Sequence, residues 1–185
     1  MDLDTQLFYA INGLARNWAT ADEAMRLVSR PWSYVVPGIF AALWWYRKEG
    51  RRSFALAAAL AILIGLTDWS ALGIKQLTQR SRPCQSLSQV IKVTGCGRSS
   101  SFPSNHAVNT AAASVFLQTI YPRLGWAVWP FTLIIGFNRI YVGAHYPTDV
   151  VGGWLIGIAD AWAFIVFLRA RRWVLRPVPG AIARP

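Results

Sequence analysis

The stretch Phe54-ALAAALAILIGLTDWSALG-Ile74 decides the fold class: it is apolar throughout, and Asp68 is its only charge. A helix needs about 20 such residues to cross the hydrocarbon core of a bilayer. Residues 150–168 repeat the pattern, with Asp160 as the sole interior charge. Three further apolar stretches occur at 32–46, 105–121 and 125–143. The composition agrees: 54% of the 185 residues are hydrophobic and 15% charged, against about 25% charged in ordinary soluble domains. We therefore expect one all-α domain over 1–185, a polytopic membrane bundle of five to six transmembrane helices. Residues 1–30 carry Asp2, Asp4, Arg16, Asp22, Glu23, Arg26 and Arg30 between short apolar patches. They read as an amphipathic helix at the membrane interface, and the acidic start MDLDTQLF is unlike a cleavable signal.

The formal net charge of +11 would suggest nucleic acid in a soluble protein. Here the basic residues stand between apolar segments, so they read as membrane-edge anchors plus an anionic-ligand site, with no nucleic acid involved. Arg47, Lys48, Arg51 and Arg52 follow the first stretch, Arg123 lies between the third and fourth, and Arg169, Arg171, Arg172 and Arg176 follow the last. With five spans these fall on one side, which is then cytoplasmic. Trp32 and Tyr34 are expected at the outer interface, and Trp44, Trp45, Tyr121, Trp126 and Trp173 at the inner one. Gly152, Gly153 and Gly157 are expected to allow close helix packing.

Another basic set breaks that pattern. Lys75, Arg80, Arg82, Lys92, Arg98 and Arg139 map to the outside, as do His106, His145 and Asp149. Topology alone thus gathers Lys75, Arg82, His106, Arg139, His145 and Asp149 at one membrane face. Arg and Lys suit phosphate oxygens. Pro103-Ser104-Asn105-His106 and His145-YPT-Asp149 each open a helix, and helix N-termini attract anions. One histidine can attack phosphorus while the other protonates the leaving oxygen. Asp149, if in the first helical turn, can accept from one imidazole nitrogen and fix the tautomer. Flanking cations argue against a metal ion, and no cofactor is implied. Arg80, Lys92 and Arg98 read as loop charges. Asp68 either orients a basic residue of the site or makes a plain interhelical hydrogen bond; Asp160 is given no catalytic role. Cys84 and Cys96, in the outer loop near 76–102, are expected to form a disulfide.

Three spaced motifs carry a family resemblance: Lys75-QLTQRS-Arg82-Pro83, then Pro103-Ser104-Asn105-His106, then Asn138-Arg139-IYVGA-His145-YPT-Asp149. In this order they resemble the type 2 phosphatidic acid phosphatase superfamily, which also includes the vanadium haloperoxidases. The resemblance covers roughly 64–160. It implies metal-independent phosphoryl transfer through a phosphohistidine, with His145 attacking, His106 protonating the leaving group and Asp149 supporting His145. Lys75, Arg82, Ser104 and Arg139 would bind phosphate. Asn105 replaces the family's glycine and adds an amide donor for substrate; Asn138 replaces its serine. The expected setting is the bacterial cytoplasmic membrane with the site facing the periplasm or exterior. The expected partners are the bilayer and a lipid phosphate. Undecaprenyl diphosphate is preferred because the site faces outward, the basic set is large (Arg80, Lys92 and Arg98 included) and the chain is minimal. Phosphatidylglycerol phosphate, phosphatidic acid and lipid A 1-phosphate are the alternatives. A lipid-binding or transport protein is the non-enzyme reading, and the paired histidines argue against it. A haloperoxidase is disfavoured because that branch is typically soluble and much larger.

Overall fold

The computed structural model describes residues 1–171, which are helical with no strand among them. In order come α1 (Leu3–Asn12), α2 (Ala19–Ser29), a 3-10 turn (Pro31–Tyr34), α3 (Val35–Glu49), α4 (Arg52–Thr78), the short α5 (Pro83–Ser86), α6 (Asn105–Ile120), a second 3-10 turn (Pro122–Leu124), α7 (Gly125–Tyr141) and α8 (Pro147–Ala170). The five apolar stretches therefore coincide with α3, α4, α6, α7 and α8. Two segments, Arg52–Ser86 and Pro147–Ala170, are long and apolar enough to cross a membrane. The helices α3, α6 and α7 have 15, 16 and 17 residues, which at 1.5 Å per residue gives about 22–26 Å each. Arg172, Trp173 and Arg176 lie outside the described residues.

Short connections join α3 to α4, α6 to α7 and α7 to α8, the longer 79–104 segment joins α4 to α6, and the five helices run alternately up and down. The core end away from the site is filled by Leu56, Leu63, Ala112, Phe116, Ala161, Phe164 and Leu168. Trp45 Nε1 donates to the Tyr121 hydroxyl there at 2.8 Å, and that hydroxyl donates to Glu49 at 2.7 Å. The Lys48 ammonium stands 4.4 Å above the Tyr121 ring. The outward surface is apolar instead of charged: Phe54, Ile62, Trp69, Leu155 and Trp162 are all exposed. A surface of that kind is stable against lipid and costly against water.

The backbones of α6 and α8 come into direct contact. A Cβ on Gly157 would stand 2.1 Å from the Val108 carbonyl oxygen, and one on Gly153 would stand 2.9 Å from the Ala107 methyl. Two glycines one turn apart thus let the helix backbones touch, as the sequence leads one to expect. Gly152 serves differently: its missing Cβ makes room for the Phe102 ring. The α6 and α8 N-termini meet at one end of the bundle, where the Ser104 N–H donates to the Asp149 carbonyl at 3.0 Å. The C-terminal ends of α4 and α7 reach the same end. There Lys75, on the last turn of α4, donates to the Pro103 carbonyl at 2.5 Å.

The N-terminal residues depart from expectation. Instead of one amphipathic helix resting on the interface, two helices form, α1 packed on α7 and α8 and α2 packed on α7, at this same end. Phe8, Asn12 and Ala15 are fully enclosed. The Asn12 amide donates to the Ile91 and Tyr141 carbonyls at 2.9 and 2.8 Å and accepts from the Ile91 N–H at 2.9 Å. The Tyr141 hydroxyl donates to Asp22 at 2.7 Å. Buried polar groups need such partners; here they lie far away in sequence. Cys84 and Cys96 are disulfide-bonded with Cα atoms 6.0 Å apart, which ties down the loop over the site.

The close α6–α8 approach generates a stability test. Gly157→Ala should lower the thermal midpoint of detergent-solubilised protein, through overpacking of about 1–3 kcal/mol. Gly65→Ala, where an added methyl meets nothing within 4 Å, should leave it unchanged or raise it slightly through better helix propensity. Equal midpoints for the two variants would contradict this packing.

Candidate active site

Each helix end delivers a side chain to a cavity of about 430 Å³ lined by Leu72, Lys75, Arg82, Asn105, His106, Arg139, His145 and the loop residues Thr94, Gly95, Gly97, Ser99 and Ala144. Gly143 makes the turn that carries the chain from Arg139 to His145. Its φ is +83°, and a Cβ there would stand 2.9 Å from Val90 and 3.0 Å from the Ile91 carbonyl, so both backbone conformation and space demand glycine. The Arg139 carbonyl then accepts from the Ala144 and His145 N–H groups, each at 3.1 Å.

Three cations are buried around this cavity. Lys75 donates to the Ser100 and Pro103 carbonyls at 2.8 and 2.5 Å. Arg82 donates through Nε to the Ser99 carbonyl at 2.8 Å and through Nη2 to Ser99 Oγ at 3.0 Å. Arg139 donates to Asn138 Oδ1 and, at 2.6 Å, to Ser29 Oγ. The Asn138 amide is itself anchored on the Met25 carbonyl at 2.8 Å, so Asn138 fixes the guanidinium beside it. Their relative exposures are 7, 9 and 7%, and none of the three has a carboxylate within ion-pair distance among the described residues. Buried charge without a counter-charge is expensive. Neutral oxygens hold these cations in place, and their charge is left for an anion. Ser104 adds to this: its hydroxyl is wholly buried and has no hydrogen-bond partner among the described residues.

His145 lies at 4% exposure, with Arg82 Nη1 3.1 Å from its Nε2. Because a guanidinium only donates, Nε2 is the acceptor and the imidazole proton belongs on Nδ1. Nδ1 faces Asp149 Oδ2 at 3.6 Å. That is Coulombic contact, beyond hydrogen-bond length. Asp149 does occupy the first turn of α8, and its Oδ2 is already taken by Ser101 Oγ at 2.5 Å and the Tyr146 N–H at 2.8 Å. Burial holds the His145 imidazole below its ordinary pKa; Arg82 and Lys75 push the same way, while Asp149 pushes back. A neutral ring with a lone pair on Nε2 results. His106, in the first turn of α6, lines the same cavity, and the residue is exposed.

Two expected members stand differently. The Asn105 amide donates to Asp68 Oδ1 at 3.0 Å, beside Asn109 at 2.9 Å. Asn105 lines the cavity, but its donor is engaged with α4. Asp68 accordingly makes the interhelical bond of the two readings and orients no cation, and Asp160 likewise accepts from Ser70 at 2.6 Å. Arg80, which reads as a loop charge, is bound into the site: it donates to Asp149 Oδ1 at 2.7 Å and to Asp4 Oδ2 at 2.6 Å. Asp4 and Ser29 also went unread as site neighbours. The one local signal for Arg80 is its place two residues before Arg82, just past the end of α4. Its direction depends on Gln79, whose left-handed φ of 46° ends the helix.

Among known proteins, the chain is 26% identical over 182 residues to the undecaprenyl-diphosphatase BcrC of Bacillus subtilis, covering 98% of this chain and 91% of that one. It is 26% identical over 190 residues to a lipid A 4'-phosphatase of Porphyromonas gingivalis, covering 97% and 80%. A decaprenylphosphoryl-5-phosphoribose phosphatase of Mycolicibacterium smegmatis shares 38% identity over 105 residues, 56% of this chain and 53% of that one. The fold resembles the crystal structure of Aquifex aeolicus LpxE, with a TM-score of 0.67 at 20% identity, covering 90% of this chain and 96% of that one. It also resembles that of a phosphatidylglycerolphosphate phosphatase from Bacillus subtilis, with a TM-score of 0.66 at 19% identity and coverages of 92% and 88%. The sequence profile of the PAP2 superfamily matches residues 52–173, which hold every histidine and buried cation of the cavity, and on that match the chain belongs to the PAP2 superfamily.

Proposed function

We propose that this PAP2 phosphatase removes the terminal phosphate of a lipid diphosphate at the outer face of the bacterial cytoplasmic membrane, through a phosphohistidine on His145. The observation that carries this is the set of three buried, uncompensated cations facing two histidines across one cavity. Lys75, Arg82, Arg139 and the unpartnered Ser104 hydroxyl hold the phosphoryl oxygens. Arg82 rests on His145 Nε2; a bound phosphate would draw the guanidinium donors to its oxygens and free the lone pair. Nε2 then forms a bond to phosphorus as the bond to the leaving oxygen breaks, and His106 gives that oxygen a proton. Asp149 supports the positive charge that develops on the His145 ring. In the second half, His106 takes a proton from water, the water oxygen bonds to phosphorus, and the P–N bond breaks. Inorganic phosphate leaves and neutral His145 is restored.

The disulfide supports an oxidising, outward placement of the loop. The cationic ends of α3, α4 and α8 then face the cytoplasm, with all five long helices crossing the bilayer. Arg80 is committed to Asp149, so it no longer argues for a diphosphate. A neighbouring cavity takes over that part. It shares Thr94, Gly95 and Arg139 with the first and is lined by Arg26, Ser29 and Arg30. A second anionic group would find two guanidiniums there, and their contacts with Glu23 are long, at 3.6 and 3.9 Å. That favours substrates with two phosphorus centres over phosphatidic acid. The similarity to an undecaprenyl-diphosphatase along nearly the whole chain points to a polyprenyl diphosphate among them.

His145→Ala should abolish phosphate release, and His106→Ala should lower kcat by about 10²–10⁴-fold. Because the nucleophile must be neutral and its pKa is depressed, the acid limb of kcat/KM should lie below 6.5, the ordinary histidine value. Activity should therefore persist as pH falls from 7.5 to 6.5. A His145→Ala enzyme with near-normal turnover, or an acid limb above 6.5, would contradict the assignment.

Specificity is tested by kcat/KM for undecaprenyl diphosphate, phosphatidylglycerol phosphate, phosphatidic acid and lipid A in one detergent. The diphosphate should lead by about tenfold or more, equivalent to about 1.4 kcal/mol. Arg26→Gln with Arg30→Gln should erode that lead while sparing phosphatidic acid. A glycerophospholipid or lipid A preferred tenfold would refute the substrate and leave the chemistry standing.

A further inference from the structure

We propose that Asp4 and Arg80 form a clamp that positions Asp149, making the N-terminal helix α1 part of the catalytic apparatus; this rests on the reading of His145 as nucleophile. Asp149 is wholly buried, and its two oxygens have separate duties. Oδ2 accepts from Ser101 and the Tyr146 N–H and faces His145. Among the described residues, Oδ1 accepts from Arg80 alone. Without that guanidinium a buried carboxylate oxygen would lack any partner, and the carboxylate would rotate to find one.

Arg80 is in turn fixed on three sides. Its Nη2 donates to Asp4 Oδ2 at 2.6 Å, its Nη1 also reaches Thr148 Oγ1 at 2.8 Å, and its plane lies 4.1 Å over the Tyr146 ring. Asp4 is held at the start of α8, accepting from the Thr148 N–H at 2.9 Å and the Thr148 hydroxyl at 2.5 Å. A carboxylate at a helix N-terminus is favourable in itself. Asp4 is thus bonded at once to the helix that carries Asp149 and to the cation that orients it. It belongs to α1, which lies outside the residues matched by the family profile.

Charge makes the arrangement more than a strut. One guanidinium between two carboxylates leaves the trio with a net charge of −1. Arg80 with Asp149 alone would be neutral, and the imidazolium that forms at His145 would face no net negative charge. Asp4 takes part of the Arg80 charge and leaves Asp149 able to support that cation. The two members therefore act in opposite senses on His145. Losing Arg80 raises the negative charge near the ring and favours its protonated form; losing Asp4 does the reverse.

The test uses full-length enzyme with Arg80→Gln and Asp4→Asn, the second a near-isosteric change, and reads kcat, KM and the pH profile of kcat/KM. Arg80→Gln should lower kcat about 10–100-fold, as mis-set catalytic geometry does, with KM changed less than about threefold. Its acid limb should move to higher pH. Asp4→Asn should lower kcat by a smaller factor and move the limb to lower pH. In the Arg80→Gln background, Asp4→Asn should add nothing further to the loss in kcat. Limb shifts in the same direction, or unmoved limbs with activity falling only in step with folded protein, would overturn the clamp. If His145→Ala were still active, the underlying nucleophile reading would fail. A dead His145→Ala beside a wild-type-like Arg80→Gln would sink the clamp alone.

Discussion

Everything at the site depends on the N-termini of α6 and α8 meeting in direct contact. Gly153 and Gly157 remove the side chains that would separate the two helices, and the Ser104 N–H bonded to the Asp149 carbonyl locks their first turns together. That contact brings the α6 wall bearing His106 to the cavity where His145 and Asp149 stand. It also sets two positive helix-dipole ends side by side. The C-terminal ends of α4 and α7 then add Lys75 and Arg139. The positive potential around the cavity is in place before a phosphate arrives, and such preorganisation is where phosphoryl-transfer catalysis gains most.

The electrostatics divide into two zones. In the cavity, cations are held by carbonyl and amide oxygens, which fix position without cancelling charge. Behind it, Asp4, Arg80 and Asp149 form a hydrogen-bonded trio of net charge −1. His145 sits on the border, with Nε2 toward the first zone and Nδ1 toward the second. Burial and the adjoining cations hold its pKa down, and in the proposed mechanism the trio behind it faces the positive charge of the phosphohistidine.

Much of this is legible in the sequence, for physical reasons. Apolar stretches of helical length marked α4 and α8 to within a few residues, since lipid-facing and core-facing positions are both apolar. Alternating topology placed Lys75, Arg82, His106, Arg139, His145 and Asp149 at one end without any knowledge of contacts. What stayed hidden depends on pairs distant in sequence. Asp4 and Thr148 are 144 residues apart and Asn12 and Ile91 are 79 apart, so no periodicity links them, and a charged N-terminal segment reads as an interfacial helix. Arg80 was hidden because one left-handed residue, Gln79, sets its direction. Asp68 could have served Lys75 seven residues on, but Asn105, the residue that departs from the family pattern, claims it instead.

The central claim is that His145 Nε2 becomes covalently phosphorylated. The direct measurement is rapid acid-free quenching of enzyme with a lipid diphosphate labelled on its terminal phosphorus, followed by peptide mass spectrometry under basic conditions, where a phosphoramidate survives. The account predicts transient label on His145, formed no slower than turnover and absent from His145→Ala. Full turnover with no label on any histidine at the earliest times, and product oxygen drawn directly from water with inversion at phosphorus, would contradict it.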